Sequence, residues 1–281
     1  MKNIIISKPE ELEKIKKAMA QDGAEKIHIL ADFDRTLTSL YNKGKKVLSL
    51  MSLLDKNYLT PEYHRRYQAL HDKYFPIEAD TKIPLAEKKK AMAQWWQAVF
   101  NLLIESKLNK KDLKKLVESQ DIRFRDGFND FTVFLKSKDI PLIIISSTGV
   151  GGETISMYLE KENKLYPNIY IIANIFEWDE NGYLVGVKEP IIYVANKDEA
   201  IIKNFHVFDL IKGRKNVILL GDMIEDVGMV KGFDYKNLIK IGFLSDEVEK
   251  NLDSYKNYYD VVILNDSGLD YINELLREIV K

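Results

Sequence analysis

Short hydrophobic runs alternate with amphipathic stretches along most of the chain. Such runs, bounded by turn residues, are typical of buried strands, whereas apolar residues three or four positions apart predict helices. The predicted strands are Ile27–Ala31, Ile140–Ile145, Ile169–Asn174, Asn216–Leu220, Leu238–Leu244 and Val261–Leu264. Because helical patterns separate these strands, the sequence predicts an α/β fold, a parallel sheet with helices on both faces.

Capping residues and turn signals locate the other elements. The first helix is expected to begin with Ser7 as its N-cap, in a capping box with Glu10, and to end at Asp22-Gly23. Thr60-Pro61 predicts a second helix start. Further predicted helices are Ala86–Ser106, Asn109–Ser119, Phe128–Lys136, Thr154–Glu160, Asp198–Leu210 and Leu269–Val280. A turn at Asp179–Gly182 predicts a hairpin between Phe176–Trp178 and Tyr183–Val185.

Residues 39–126 differ from the rest, because they are highly charged, helical in rhythm and poor in strand-like runs. Pro76 and Pro84 punctuate this block. Since it lies between the first predicted strand and the next, it predicts a helical insert or cap. We therefore expect residues 1–38 and 127–281 to form the α/β core and residues 39–126 a helical cap domain.

Composition narrows the chemistry available to the 281 residues. There is no Cys, which excludes disulfides, thiolate metal sites and a Cys nucleophile. The four His are far apart in the sequence, so a metal site built from His is not expected. With 42 Lys+Arg against 43 Asp+Glu, no positive excess is available to drive nucleic-acid binding. The apolar runs are too short for a membrane span or a signal peptide, so a cytoplasmic protein is expected. Carboxylates, hydroxyls and Lys must carry any chemistry.

Such residues follow the predicted strands directly, where ligands bind in open α/β sheets. Asp32 and Asp34 follow the first strand, Ser146–Gly149 follow the second, and Asp222 with Asp226 follow the fourth. Each feature alone is weak evidence for a site. Their occurrence in this order indicates one active site at the carboxyl ends of the strands.

This set suits phosphoryl transfer through an aspartyl-phosphate, with Asp32 as nucleophile and Asp34 as general acid and base. The repulsion between one carboxylate charge and one phosphate charge is about 4 kcal/mol at ~4 Å and an effective dielectric of ~20, so a cation is needed. Asp222 is placed to bind it and Asp226 to hold a bound water, and all-oxygen ligands suit Mg²⁺. Lys197 would neutralise phosphate charge.

The phosphate itself is expected to bind at the predicted start of the helix after the second strand. Ser147, Thr148 and the backbone N–H groups near Gly149 would hold its oxygens there. Trp95 and Trp96 are adjacent on a predicted helix and point ~100° apart, so at most one should face the substrate.

Four segments, DFDRTLT, SSTG, a lone Lys and GDMIED, match the motifs of the haloacid dehalogenase (HAD) superfamily of phosphohydrolases. With YFPIEAD, AQWWQAVFNLL and WDENGYLVGVKEP, the chain resembles the cytosolic pyrimidine 5′-nucleotidase (5′-nucleotidase III) family from about Glu25 onward. The resemblance implies a Rossmann-like core with a helical cap inserted after the first motif. It also implies Mg²⁺-dependent hydrolysis of nucleoside 5′-monophosphates such as UMP and CMP.

Carried over by position, the resemblance supports the same roles for the residues above and adds Glu78, in YFPIE, as the carboxylate that reads the base. The implied metal site comprises Asp32, Asp34, Asp222 and Asp226. A protonated or methylated purine is another plausible guest for Glu78. Alternatives are a phosphatase for 7-methyl-GMP, phosphoserine or a sugar phosphate, or a nucleotide-binding module without turnover. A phosphotransferase side activity and a monomer or weak oligomer are also expected.

Two departures from the family pattern stand out. The family usually has Ser followed by Ala-Gly, whereas this chain has Ser146-Ser-Thr-Gly, one residue longer. Its motif serine is Ser147 if counted back from Gly149 and Ser146 if counted from Pro141. The hydroxyl-x-Gly spacing favours Ser147. In the last motif Glu225 replaces a usual Gly, which adds a carboxylate beside the predicted metal site.

Overall fold

A seven-stranded sheet forms the centre of the computed structural model, which describes residues 3–47, 49–80, 82–119, 121–197, 203, 205–232 and 234–280. The strands are β1 (Ile4–Ile6), β2 (Ile27–Ala31), β3 (Tyr41–Asn42), β4 (Lys45–Lys46), β5 (Leu142–Ile145), β6 (Ile169–Ile172), β7 (Phe176–Trp178), β8 (Leu184–Val187), β9 (Asn216–Gly221), β10 (Asn237–Leu244) and β11 (Val261–Leu264). The order across the sheet is β1-β11-β10-β9-β2-β5-β6. Within this sheet only β1 runs antiparallel to its neighbour, which confirms the predicted α/β fold. The pairs β3–β4 and β7–β8 form separate antiparallel hairpins.

The helices are α1 (Pro9–Asp22), α2 (Leu50–Tyr58), α3 (Pro61–Ala79), α4 (Leu85–Glu105), α5 (Lys110–Glu118), α6 (Phe128–Ser137), α7 (Gly152–Lys161), α8 (Val207–Ile211), α9 (Val248–Tyr258) and α10 (Asp270–Ile279). Short 3-10 helices cover Ala24–Lys26, Val194–Asn196 and Ile224–Val230. Within the described part of the chain, no helix is long and apolar enough to cross a membrane.

The central strands are buried from end to end, because helices cover both faces of the sheet. Alternate side chains of β2 enter different hydrophobic clusters: Ile29 and Ala31 pack on one side, and Leu30 packs on the other. This two-sided burial explains why the strands read as continuous apolar runs in the sequence.

Several local predictions are wrong, each for an identifiable reason. Ser7 is not the N-cap of α1: its hydroxyl donates to the carbonyl of Tyr259 at 2.9 Å, and Lys8 takes the cap position. The short edge strand β1, which precedes α1, was not predicted. Pro76 does not end α3, which continues to Ala79: proline lacks an N–H and its ring crowds the preceding turn, but its own carbonyl still accepts the Asp80 N–H at 3.1 Å.

Other elements differ in extent or were not predicted. The strands β5 and β6 are shorter than their apolar runs. The short β3–β4 hairpin and the helices α2 and α9 were not anticipated. Of the predicted helix Asp198–Leu210, residues 198–202 and 204 lie outside the described residues, and the described remainder contains α8.

Helices α2 to α5 lie within the predicted cap segment and share one hydrophobic cluster with the sheet, in which Leu54 and Phe100 pack together with Phe33 and Leu37. The turn between α4 and α5 is also fastened to the β7–β8 hairpin by backbone hydrogen bonds. The Leu184 N–H donates to the Leu108 carbonyl at 2.9 Å, and the Lys110 N–H donates to the Gly182 carbonyl at 3.0 Å. These contacts hold the end of α4 and the start of α5 against the hairpin.

Candidate active site

The strand order places β9, β2 and β5 side by side, so the loops that follow them meet at one edge of the sheet. Asp32 follows β2, Ser146 to Gly149 follow β5, and Asp222 follows β9. With Lys197 and Trp96, they line a cleft of about 210 Å³. The structure thus brings together the residues that sequence reasoning assigned to the strand ends.

A buried ion network forms the floor of the cleft. The Lys197 ammonium donates to Asp32 Oδ1 at 2.5 Å and to Asp226 Oδ1 at 3.2 Å. The other oxygen of Asp226 accepts the backbone N–H groups of Asp222 at 3.1 Å and Met223 at 3.0 Å. One side chain therefore orders both the Lys and the turn after β9.

The electrostatics of this network favour an additional cation. Burial raises the pKa of Asp32, and the nearby Asp226 and Asp34 charges raise it further, against the opposing effect of Lys197. Burial also raises the pKa of Asp222, with Asp32 and Asp226 adding repulsion. For Lys197, burial opposes the charged form, but the two Asp partners outweigh it and raise its pKa. The Lys stays protonated, and its single charge faces three carboxylates.

The donor set itself fits a divalent metal ion. Among the described residues, Asp32, Asp222 and Asp226 each offer one carboxylate oxygen, and these oxygens lie within 4.8 Å of one another. An all-oxygen set of this charge suits a hard cation. The carboxylate of Asp34, also predicted as a ligand, lies outside this trio and accepts the Leu50 N–H at 3.5 Å.

A tight turn after β2 carries Asp34 towards the cleft. Arg35 adopts a left-handed backbone conformation with φ of 61°, and its N–H donates to Thr38 Oγ1 at 2.9 Å. Thr36 Oγ1 in turn donates to Asp222 Oδ1 at 3.3 Å. This contact of Thr36 with the carboxylate trio was missed from the sequence, since only the adjacency of β2 and β9 reveals it.

The loop after β5 distinguishes its two serines. The buried Ser146 hydroxyl accepts the Thr148 N–H at 3.2 Å, and Thr148 Oγ1 accepts the Val150 N–H at 3.5 Å. Ser147 is half-buried and lines the cleft. Both serines line the cleft, and the hydroxyl of Ser146 also shapes the turn. Ser147 is the more exposed of the two, in agreement with the hydroxyl-x-Gly spacing that favours it.

The helical insert approaches this loop closely at Gly149. A Cβ there would lie 2.7 Å from the Trp96 ring and 2.9 Å from the Met51 sulfur. Of the adjacent tryptophans, Trp95 is buried and stacked on Tyr74 at 6.0 Å, whereas Trp96 lines the cleft. The helices α2 and α4 therefore roof the predicted phosphate site.

Glu78, the predicted base-reading residue, lies near the end of α3 and does not line the cleft around Asp32. It is half-buried, and its pKa is raised by burial and then by repulsion from Glu225. Phe75, which is half-exposed, lies one turn before Glu78 on α3, and His71 lies two turns before it. The two rings stack with their centroids 4.8 Å apart. Lys88 and His71 act in the opposite direction on the pKa of Glu78, and the Lys88 ammonium donates to the Glu78 carbonyl at 2.7 Å.

The fold is similar to that of hydrolases of the HAD superfamily. A HAD family hydrolase from Salmonella enterica shares the fold with a TM-score of 0.59 at 15% identity, covering 93% of this chain and 73% of that chain. The family model for pyrimidine 5′-nucleotidase (UMPH-1) matches residues 35–280. The chain belongs to this family and is a 5′-nucleotidase-type phosphohydrolase.

Individual relatives agree with this assignment. The human 7-methylguanosine phosphate-specific 5′-nucleotidase is 33% identical over 99% of this chain and 92% of its own length. A crystal structure of cytosolic 5′-nucleotidase IIIB bound to cytidine matches with a TM-score of 0.89 at 28% identity, covering 99% of this chain and 94% of that chain. The family recognised from the sequence is confirmed, but the relatives' names differ in the base that they specify.

Proposed function

We propose that the protein removes the 5′-phosphate from nucleoside monophosphates through an aspartyl-phosphate on Asp32. The buried network of Lys197 with Asp32 and Asp226 carries this proposal, because it orients one carboxylate at the cleft floor and places a fixed positive charge beside it. A phosphate entering the cleft would meet the Asp32 oxygen on one side and the Ser147–Gly149 loop on the other.

In the first step, an Asp32 oxygen forms a bond to phosphorus while the bond to the nucleoside 5′-oxygen breaks. Asp34 gives its proton to that leaving oxygen; burial raises the pKa of Asp34 and so favours the protonated acid before attack. Asp34 then takes a proton from water, whose oxygen attacks phosphorus and releases Asp32. A nucleoside hydroxyl in place of water would receive the same phosphoryl group, giving a phosphotransferase side activity.

Asp32, Asp222 and Asp226 would hold Mg²⁺, and Asp34 stays a predicted fourth member of the site. When bound, the ion supplies positive charge that offsets the repulsion between the carboxylates and the phosphate. Thr36 orients Asp222, and Asp226 orients the backbone of the turn after β9. Ser147, Thr148 and the Gly149 N–H would hold the phosphate oxygens.

For the base, we propose cytosine or uracil, with Glu78 accepting hydrogen bonds from the ring N–H or amino group. A second candidate, 7-methyl-GMP, is supported by the names of the curated relatives and by the repulsion between Glu78 and Glu225, which a cationic base would relieve. The division into a core of residues 1–38 and 127–281 and a cap of residues 39–126 belongs to this proposal, as do cytoplasmic location and a monomeric or weakly oligomeric state.

Phosphate release from UMP, CMP, 7-methyl-GMP, GMP and AMP in the presence of MgCl₂ tests the proposal. We expect turnover of UMP, CMP and 7-methyl-GMP, with GMP and AMP slower. GMP is the matched control for 7-methyl-GMP, because the two differ by one methyl group and its charge. Turnover of 7-methyl-GMP without UMP or CMP would reject the pyrimidine proposal, and release from none of the five would reject the function.

The variant Glu78→Gln tests the base contact separately. Loss of a charged acceptor should lower kcat/KM for the preferred nucleotides about tenfold. Hydrolysis of p-nitrophenyl phosphate, which has no nucleobase, should not change. An equal loss with both substrates would show that Glu78 does not read the base.

A further inference from the structure

Arg125 is almost completely buried, with 2% of its surface exposed, in the segment that returns from α5 to α6. Its position outside the four motifs gave no reason to select it from the sequence. Burial lowers its pKa to about 10, with Asp266 and Asp222 acting in the opposite direction. A guanidinium so deeply buried needs a partner for each donor.

The structure supplies such partners. Arg125 Nε donates to the Thr36 carbonyl at 2.8 Å, and Nη1 donates to the Ser267 carbonyl at 2.7 Å and pairs with Asp266 Oδ1 at 3.1 Å. Its Nη2 donates to the Arg35 carbonyl and to Ser245 Oγ at 3.2 Å. The guanidinium also lies over the Phe243 ring, 4.1 Å from its centroid.

Two of these partners belong to the turn that directly follows Asp34. Arg35 is the left-handed residue of that turn, and such a backbone persists in a non-glycine residue only where surrounding contacts stabilise it. Thr36 is the residue whose hydroxyl donates to Asp222. By holding both carbonyls, Arg125 fixes the segment that carries the proposed acid and orients the carboxylate trio.

Asp266 extends this junction to the outgoing linker of the helical insert. Its carboxylate accepts the Leu40 N–H at 2.8 Å and the Tyr41 N–H at 2.9 Å. Arg125 lies on the returning linker, so the Arg125–Asp266 pair joins both linkers to the turn after β2. Any displacement of the insert relative to the sheet acts on this pair.

We propose that Arg125, held by Asp266, is a positioning residue that keeps Asp34 and Thr36 in place for phosphoryl transfer. Lys would keep the charge but lose the planar fork that reaches three carbonyls, a hydroxyl and a carboxylate at once. The proposal rests on the proposed function insofar as Asp34 acts as the acid. It predicts a loss in the chemical step and not in substrate binding.

The test compares Arg125→Lys with the matched control Arg214→Lys. Arg214 likewise donates to three backbone carbonyls, those of Ala24, Ile27 and the left-handed Asp139, but at the opposite end of β2. Activity is measured with p-nitrophenyl phosphate and UMP, well below the unfolding temperature of each variant, together with hydrogen–deuterium exchange of residues 33–41.

For Arg125→Lys we expect kcat to fall about 10- to 100-fold with little change in KM, and faster exchange confined to residues 33–41. Arg214→Lys should keep the wild-type kcat and the wild-type exchange in this segment. A wild-type kcat in Arg125→Lys, or an equal loss in Arg214→Lys, would overturn the proposal.

If Arg125→Lys does not fold, Asp266→Asn replaces it, since that variant keeps the fork but weakens its anchor. The same direction of change, with a smaller fall in kcat, is expected, and unchanged kcat and exchange would again reject the proposal. If the wild type hydrolyses p-nitrophenyl phosphate but none of the nucleotides, the proposed function is rejected and the proposal for Arg125 is not. If the wild type hydrolyses neither substrate, exchange of residues 33–41 decides the role of Arg125.

Discussion

At the scale of single residues, the active site depends on burying charges that only partly balance. Lys197 is 5% exposed and contacts both Asp32 and Asp226, so its charge is fully committed. Removing Lys197 would leave two buried carboxylates uncompensated, whereas removing Asp32 leaves Lys197 paired with Asp226. Substitutions here therefore have distinguishable effects on catalysis and on stability.

Asp32→Asn should abolish turnover, lowering kcat by about 10³-fold or more, because the amide cannot form the aspartyl-phosphate. Stability should fall little, since Lys197 keeps Asp226 as a partner. Phosphate release and thermal unfolding measure the two effects. Asp260→Asn is the control, a half-buried carboxylate whose pKa is also raised by burial but that accepts the Lys240 N–H, away from the cleft. Full activity of Asp32→Asn would contradict the mechanism.

Gly149→Ala should reduce activity, because the added methyl group would lie 2.7 Å from the Trp96 ring and force the insert away from the phosphate loop. We expect a higher KM for UMP and a lower unfolding temperature. Gly213→Ala is the matched control, since no heavy atom lies within 4 Å of its added Cβ. Wild-type kinetics in Gly149→Ala would mean that the insert does not close this tightly over the loop.

The buried His28 should make stability fall in acid. Burial lowers its pKa to about 3, whereas the unfolded residue titrates near ~6.5. The unfolded state therefore binds a proton that the folded state does not, so stability is full above about pH 6.5 and is lost as the pH falls towards 3. By pH 5 the loss is about 2 kcal/mol.

Urea unfolding at pH 7 and pH 5 measures this difference for the wild type and His28→Leu. The variant should lose about 2 kcal/mol less than the wild type over this range. Substitution of the exposed His206 by Gln serves as the control for a surface histidine. Equal pH dependence in the wild type and His28→Leu would show that His28 does not carry the effect.

At the scale of elements, the sequence predicted most helices and strands but not their junctions. The strand β9, for example, consists of six buried residues, and its hydrophobic run alone identifies it as a strand. The turn between α4 and α5 is different, because its role depends on docking to the β7–β8 hairpin, a contact between residues about 75 positions apart in sequence. No local pattern encodes such a contact.

Asn109→Ala tests this junction. Asn109 caps α5 by accepting the Lys111 N–H at 3.0 Å, and its amide also donates to the Asn181 carbonyl at 3.1 Å. Loss of a cap costs about 1 kcal/mol. Thr60→Ala is the matched control, because it removes the N-cap hydrogen bond that Thr60 Oγ1 accepts from the Tyr63 N–H at the start of α3. We expect the larger loss in free energy of unfolding for Asn109→Ala, and an equal loss would show that the hairpin contact contributes nothing.

At the scale of the whole molecule, the net charge of −1 gives no global field to attract an anionic substrate. Attraction must come from Lys197, the backbone N–H groups after β5 and a bound cation. The cation should also stabilise the fold, because it binds the assembled carboxylates of the folded state only.

MgCl₂ should therefore raise the unfolding temperature of the wild type and restore activity after treatment with a chelator. At a concentration about 100-fold above Kd, the stabilisation amounts to about 2.7 kcal/mol. Asp222→Asn should lose most of this response, since it removes one of the three oxygens. Asp260→Asn again is the control. An unchanged response of Asp222→Asn would place the metal elsewhere.

The sequence by itself determined the α/β fold class, the strands that carry chemistry and the residues that follow them. It could do so because buried parallel strands and strand-end carboxylates are local features, readable within a few residues. The family followed from the same segments. Edge strand β1 was missed because its residues are half-exposed and too few to form a buried apolar run.

Only the tertiary structure decided which of these residues meet. It showed that the hydroxyl of Ser146 shapes the turn after β5, placed Trp96 and not Trp95 over the cleft, and joined Thr36 to Asp222 across adjacent strands. It also revealed Arg125, 89 residues from the Thr36 carbonyl that it holds. The physical reason is that these contacts depend on strand order and on the path of the insert, which join residues far apart in the chain.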